Sequence, residues 1–61
     1  MINTELYEVI DDNCGEGYES HYEASREIQK SYQGRESELT VKKDYERWYI
    51  VRPKIEVMWV F

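Results

Sequence analysis

The sequence predicts a single small α+β domain of order β-α-β-β, with room for one more strand, in which one helix packs on a face of an antiparallel sheet. Three observations lead there: period-two apolar patterning at both ends of the chain, a well-bounded helical stretch between them, and 61 residues without an internal repeat, a low-complexity tract or a Gly/Ser/Pro linker. Residues 1–61 are therefore expected to form one domain.

The first strand is expected over Thr4–Ile10, which is rich in β-branched and aromatic residues. Alternation places Leu6 and Ile10 on one face, with Glu8 beside them, and Tyr7 and Val9 on the other. The stretch from Asp11 to Gly17 reads as a turn or loop, because Asp, Asn and Gly tolerate left-handed backbone. Ser20 and Glu23 then form an S-x-x-E capping box that starts a helix, and Gly34 supplies its stop. A stripe of Tyr18, Tyr22, Ser25, Ile28, Gln29 and Tyr32, with His21 alongside, is expected to meet the sheet, leaving Glu23, Arg26, Glu27 and Lys30 outward. From Leu39 the period is two again: Leu39, Val41, Lys43 and Tyr45, then Trp48, Ile50 and Arg52, then Ile55, Val57, Trp59 and Phe61. Asp44–Arg47 is the expected hairpin turn. Pro53, which lacks the ladder donor, either separates the last two strands or bends one.

Charge is unevenly placed. Thirteen acidic and eight basic residues give −5, but residues 1–25 carry −7 with no Lys or Arg, and residues 26–61 carry +2. Such a front can steer association with a basic partner. Folding a chain of this size buries on the order of 3,800 Å² of apolar surface, about 95 kcal/mol, against about 90 kcal/mol of ordering cost. That balance is near zero, so a second copy or a bound partner would help. One cysteine, Cys14, precludes an intramolecular disulfide and favours a reducing, cytoplasmic setting. No signal-like segment is recognised at the N-terminus, and the densest apolar run, Val57–Phe61, is far short of the roughly 20 residues of a membrane span.

Motifs for chemistry are weak. A calcium loop counted from Asp12 puts Gly17 and Glu23 at the right places, but it puts Cys14 among the ligands and follows a strand rather than a helix. Cys14 and His21 fall short of a zinc ligand set, and an acidic, flexible loop disfavours a Cys14 thiolate. No phosphate-binding glycine loop or Ser/His/Asp ordering occurs, and the chain leaves little volume for a catalytic pocket. No enzyme activity, metal or cofactor is therefore expected.

Six tyrosines and two tryptophans suit an interface, where such residues act as anchors. The function expected from sequence is a non-enzymatic, cytoplasmic protein-binding module that occludes a basic site of a host protein, including one that normally takes nucleic acid. Asp11, Asp12, Glu16, Glu19 and Glu23 would present the charge, with Tyr18 and Tyr22 as contact anchors. Small acidic proteins of this kind are frequent among phage and mobile-element inhibitors, an association of size and composition only. A homodimer is expected through Ile55, Val57, Met58, Trp59 and Phe61, because that segment is apolar on both faces and would be a liability as a bare edge. The alternative is a single-stranded nucleic-acid binder stacking bases on Trp48 and Tyr49 beside Arg47 and Lys43; the acidic balance makes nucleic acid the less expected partner.

Overall fold

The computed structural model describes residues 2–54 of the chain. The elements are β1 (Tyr7–Asp11), α1 (His21–Ser31), a 3-10 turn (Glu36–Glu38), β2 (Thr40–Asp44) and β3 (Arg47–Pro53). Both outer strands run antiparallel to β3, in the order β1-β3-β2. β1 and β2 thus run the same way with β3 inserted between them, a split β-α-β crossover in which α1 spans the gap. One helix on an antiparallel sheet is the α+β class that the patterning predicts.

β3 is central, and its sequence explains why. Ile50 and Val51, on opposite faces, are both fully buried, which suits only a strand covered on two sides. It joins β2 through a hairpin closed by Asp44 and Arg47, with register Thr40↔Val51 to Asp44↔Arg47. The turn falls where expected. Tyr45 takes φ +59 at its first central position, a place where two-residue hairpins usually require glycine. Pro53 is tolerated because of parity. Trp48 and Lys54 aim their N–H groups at the β1 side, toward the Tyr18 and Leu6 carbonyls. The proline nitrogen therefore faces the β2 side, where β2 has already ended at Thr40, opposite Val51.

The helix starts at the expected serine, whose Oγ accepts the Glu23 N–H at 3.2 Å, but the return half of the capping box, from the Glu23 carboxylate to the Ser20 N–H, is not formed among the described residues. It ends at Ser31, with Tyr32 as the cap and Gly34 at φ +87 two residues on. Its buried face differs from the expected stripe. Ala24 and Ile28 are the buried positions, Tyr32 packs beside them, and Tyr22 is 67 % exposed. At 100° per residue Tyr22 lies opposite Ala24, so only one of them can face the sheet. The small, fully buried Ala24 lets the helix approach closely, and Leu39, Ile50, Ile10, Val41 and Trp48 complete the core.

β1 begins later than expected. Residues 4–6 form a turn, with the Asn3 carbonyl accepting the Leu6 and Tyr7 amides at 3.1 and 3.0 Å and Asn3 Oδ1 accepting that of Glu5. This local bonding competes with the ladder and delays pairing to Tyr7. A bulge then separates Val9↔Val51 from Asp11↔Ile50. Strict alternation would send Asp11 to the face of Tyr7 and Val9; the extra residue returns it to the helix side, next to Ile10. On the outer face Tyr7 stands opposite Pro53 and Lys42 opposite Tyr49. The Lys42 ammonium lies 4.8 Å from the Tyr7 ring centroid, so this cation–π pair crosses β3 at the level of Val51.

The expected last strand and the dimer surface at Ile55, Val57, Met58, Trp59 and Phe61 lie outside the described residues. Tyr45 is 78 % exposed, so Tyr45→Gly removes backbone strain with little loss of packing. It is expected to raise the thermal midpoint by a few degrees, about 0.5–1 kcal/mol; an unchanged or lower midpoint by circular dichroism would show that the turn is not strained.

Candidate functional site

Asp11, read from sequence as part of a displayed acidic front, has its carboxylate engaged within the fold. Its Oδ2 accepts the hydroxyls of Tyr18 at 2.9 Å and Tyr32 at 3.1 Å, and Oδ1 accepts the Asn13 N–H at 2.9 Å. The bulge makes this possible by turning Asp11 toward the helix. Tyr18 arrives through a bridge to Trp48, with mutual backbone bonds of 2.7 and 2.9 Å, that resumes the β1 side of the ladder after the loop. Partial burial, then the hydrogen bond to Asp11, raises both phenol pKa values above their usual 10.0, with the Asp11 and Glu27 charges acting the same way.

Between Asp11 and Tyr18 the chain makes a tight excursion. Asn13, Cys14 and Gly15 take φ +53, +59 and +89, one turn of left-handed backbone that is costly for a non-glycine residue. Bonds offset that cost. The Asp12 carbonyl accepts the Gly15 and Gly17 amides at 3.1 and 2.7 Å, Asp12 Oδ1 accepts the Gly15 amide at 3.1 Å, and Asn13 Nδ2 donates to the Gly17 carbonyl at 3.1 Å. From β3, the Arg47 guanidinium donates to the Glu16 and Gly17 carbonyls at 2.8 and 3.1 Å. Gly17 is required where it sits: at φ +74, an added Cβ would meet Arg47 Cβ at 2.7 Å and Tyr49 Cζ at 3.0 Å. The loop that reads as flexible is thus cross-bonded and fastened to the sheet.

Of the residues expected to contact a partner, Asp11 and Tyr18 are half-buried and bonded to each other, whereas Asp12, Glu16, Glu19, Tyr22 and Glu23 are exposed. Among the described residues the carboxylates of Glu16, Glu19 and Glu23 make no hydrogen bond or ion pair; the surface ion pairs shown are Arg35–Glu38 and Arg52–Glu8. The exposed set wraps an edge rather than forming one flat patch. Asp12 lines a depression on the outer sheet face with Ile2, Val9 and Tyr49, while Tyr18 and Glu23 line a groove of about 410 Å³ along α1 with Arg26, Glu27 and Lys30. Tyr22 carries the Arg26 guanidinium 5.7 Å above its ring.

The aromatic and basic residues of the sheet are divided between its two faces rather than gathered on one. Trp48 faces α1, half-buried, with the His21 ring edge-on at 5.4 Å and the Lys43 ammonium 5.7 Å above it. Tyr49, the next residue, faces the opposite way beneath Gly17. Arg47 is committed to the loop, a role that residue type alone did not reveal. Cys14 is exposed and unpaired. Among the described residues no three His, Cys, Asp or Glu side chains come together as a metal site, and no helix is long and apolar enough to cross a membrane. Comparison with protein-family models, with curated proteins and with solved structures finds no match to this chain.

Two consequences are measurable. Gly17→Ala is expected to cost about 2–4 kcal/mol in urea unfolding and to release the loop, whereas Gly15→Ala, which meets open space, costs about 1 kcal/mol for its φ alone; equal losses would refute the close approach at Gly17. The raised tyrosines set an alkaline limit. Above pH 10 the unfolded chain gives up phenol protons that Tyr18 and Tyr32 retain when folded, so their stabilisation is complete below that pH and declines as pH rises. Absorbance titration at alkaline pH should show two of the six tyrosines ionising late, and the Tyr18→Phe, Tyr32→Phe double variant should lose that late phase.

Proposed function

We propose that this protein is a non-enzymatic binding module that occludes a basic site on a host protein, in the manner of small phage or mobile-element inhibitors. Its carrying observation is the loop from Asp12 to Gly17, fixed by its own bonds and by Arg47, with the unpaired carboxylates of Glu16, Glu19 and Glu23 along it and the first helical turn. Charges held on fixed backbone complement an opposite surface without a large ordering cost, and they speed encounter with it. Tyr22, exposed at the same end of α1, supplies an aromatic contact. Asp11 and Tyr18 support this surface from behind rather than meeting the partner.

A reducing, cytoplasmic setting accords with the single cysteine, and a homodimer accords with the apolar Ile55–Phe61 stretch. A nucleic-acid surface on the sheet draws less support, since Trp48 and Tyr49 face opposite ways and Arg47 is bonded to the loop.

The test is affinity capture from host lysate with the intact chain and with a Glu16→Gln, Glu19→Gln, Glu23→Gln variant, identifying retained proteins by mass spectrometry. A basic protein captured by the parent should be retained at least about tenfold less by the variant, and less by both as salt rises. Undiminished capture by a variant with an unchanged circular dichroism spectrum would overturn the acidic-surface mechanism.

A further inference from the structure

The depression on the outer sheet face has a composition that points to one kind of occupant. It measures about 470 Å³ and is bounded by Ile2, Thr4, Val9, Asp12, Gly15, Asp44 and Tyr49. Four parts of the chain meet there: the N-terminal segment, β1, the left-handed loop and the β2–β3 hairpin. Among the described residues the lining is apolar at Ile2 and Val9, aromatic at Tyr49 and acidic at Asp12 and Asp44, with no Lys or Arg. Asp44 already holds a partner of its own, and the flanking cations Arg47 and Lys42 are engaged with the loop carbonyls and the Tyr7 ring, so recognition of an incoming group falls to Asp12.

We propose that this depression receives an arginine side chain of the protein partner, an inference that rests on the partner-binding function proposed above. An aliphatic stem matches Ile2 and Val9, and a planar cation matches a carboxylate beside an aromatic ring. Asp12 is the deciding residue. Its Oδ1 accepts the Gly15 amide, which fixes the carboxylate at the rim and leaves Oδ2 for an incoming donor. A guanidinium is more weakly hydrated than an ammonium and stacks on aromatic faces, so it enters a half-apolar site at a lower desolvation cost. An uncharged apolar group would bury Asp12 without compensation, and an anion would be repelled. The volume lies within the roughly 300–1,000 Å³ of small-ligand sites.

The test needs no knowledge of the partner. The intact, ¹⁵N-labelled protein is titrated in roughly physiological salt with N-acetyl-arginine amide, N-acetyl-lysine amide and N-acetyl-citrulline amide, the last having arginine's shape without its charge. The arginine compound should shift the Val9, Gly15 and Tyr49 amides saturably. Citrulline should bind at least about tenfold more weakly, and lysine more weakly than arginine. Asp12→Asn, which keeps an oxygen for the Gly15 amide, should weaken arginine binding about five- to tenfold. Glu36→Gln, the same charge change outside the lining of the depression and with an oxygen kept for the Gly34 amide, should alter it less than about twofold. No saturable shifts, equal binding of citrulline, equal or tighter binding of lysine, or equal effects of the two substitutions would each overturn the assignment. Undiminished lysate capture by the Glu16, Glu19 and Glu23 variant would overturn the acidic front and leaves these titrations unaffected, so the two can fail separately.

Discussion

The Asp11 carboxylate accepts hydroxyl protons from Tyr18 and Tyr32, two tyrosines brought in by different stretches of the chain, and through them it ties the end of β1 to the return of the loop and to the far end of α1. Hydrogen bonds to a charged acceptor are worth about 1.5–3 kcal/mol when buried, and less at this half-exposed site. Their larger effect is geometric. With Tyr18 held, its bridge to Trp48 fixes where the helix begins, and with Tyr32 held, the helix cannot slide along the sheet. The price of that arrangement is one bulge, which costs a ladder pairing and gains the only orientation of Asp11 that faces both phenols.

Arg47 performs the matching task from the sheet side. It closes the hairpin opposite Asp44 and reaches to the loop carbonyls, so one residue connects the tightest turn of the chain to its most acidic segment. Gly17 allows this by bringing the loop backbone against Arg47 and Tyr49 at a distance no other residue permits. The charge of the loop is therefore carried on a support with little freedom to adjust, and this separates it from an acidic tail of the same composition.

Much of the fold was legible in the residues and some of it could not be. The serine cap, the glycine after the helix, the hairpin at Asp44–Arg47 and the two strands it joins are local signals, and they lie where reading predicts. What failed was rotational or long-range. The expected stripe was right at Tyr18, Ile28 and Tyr32 and wrong at Tyr22 and Gln29, which are exposed, because a fully buried alanine carries little weight in a count of large residues, although Ala24, Ile28 and Tyr32 stand at perfect i, i+4 spacing. The bulge at β1 has no one-residue signature, so alternation misplaced Asp11 by one face. Tyr32 lies 21 residues from Asp11, and the loop carbonyls lie 30 and 31 residues from Arg47, so residue type marked both as surface charges. Of the acidic front, Asp12, Glu16, Glu19 and Glu23 are where the sequence places them, at the surface.

The inserted position of β3 has a consequence for the order in which this domain assembles. The β2–β3 hairpin closes a two-residue loop and α1 precedes it by a short connection, so these parts meet through contacts of low loop-closure entropy. β1 pairs residues from opposite ends of the described chain, Tyr7 with Pro53, and so carries the larger loop-closure cost of the two strand pairings. Because the acidic loop hangs from β1 at one end and from Arg47 at the other, transient release of β1 would leave it tethered to the hairpin alone, still charged but no longer shaped.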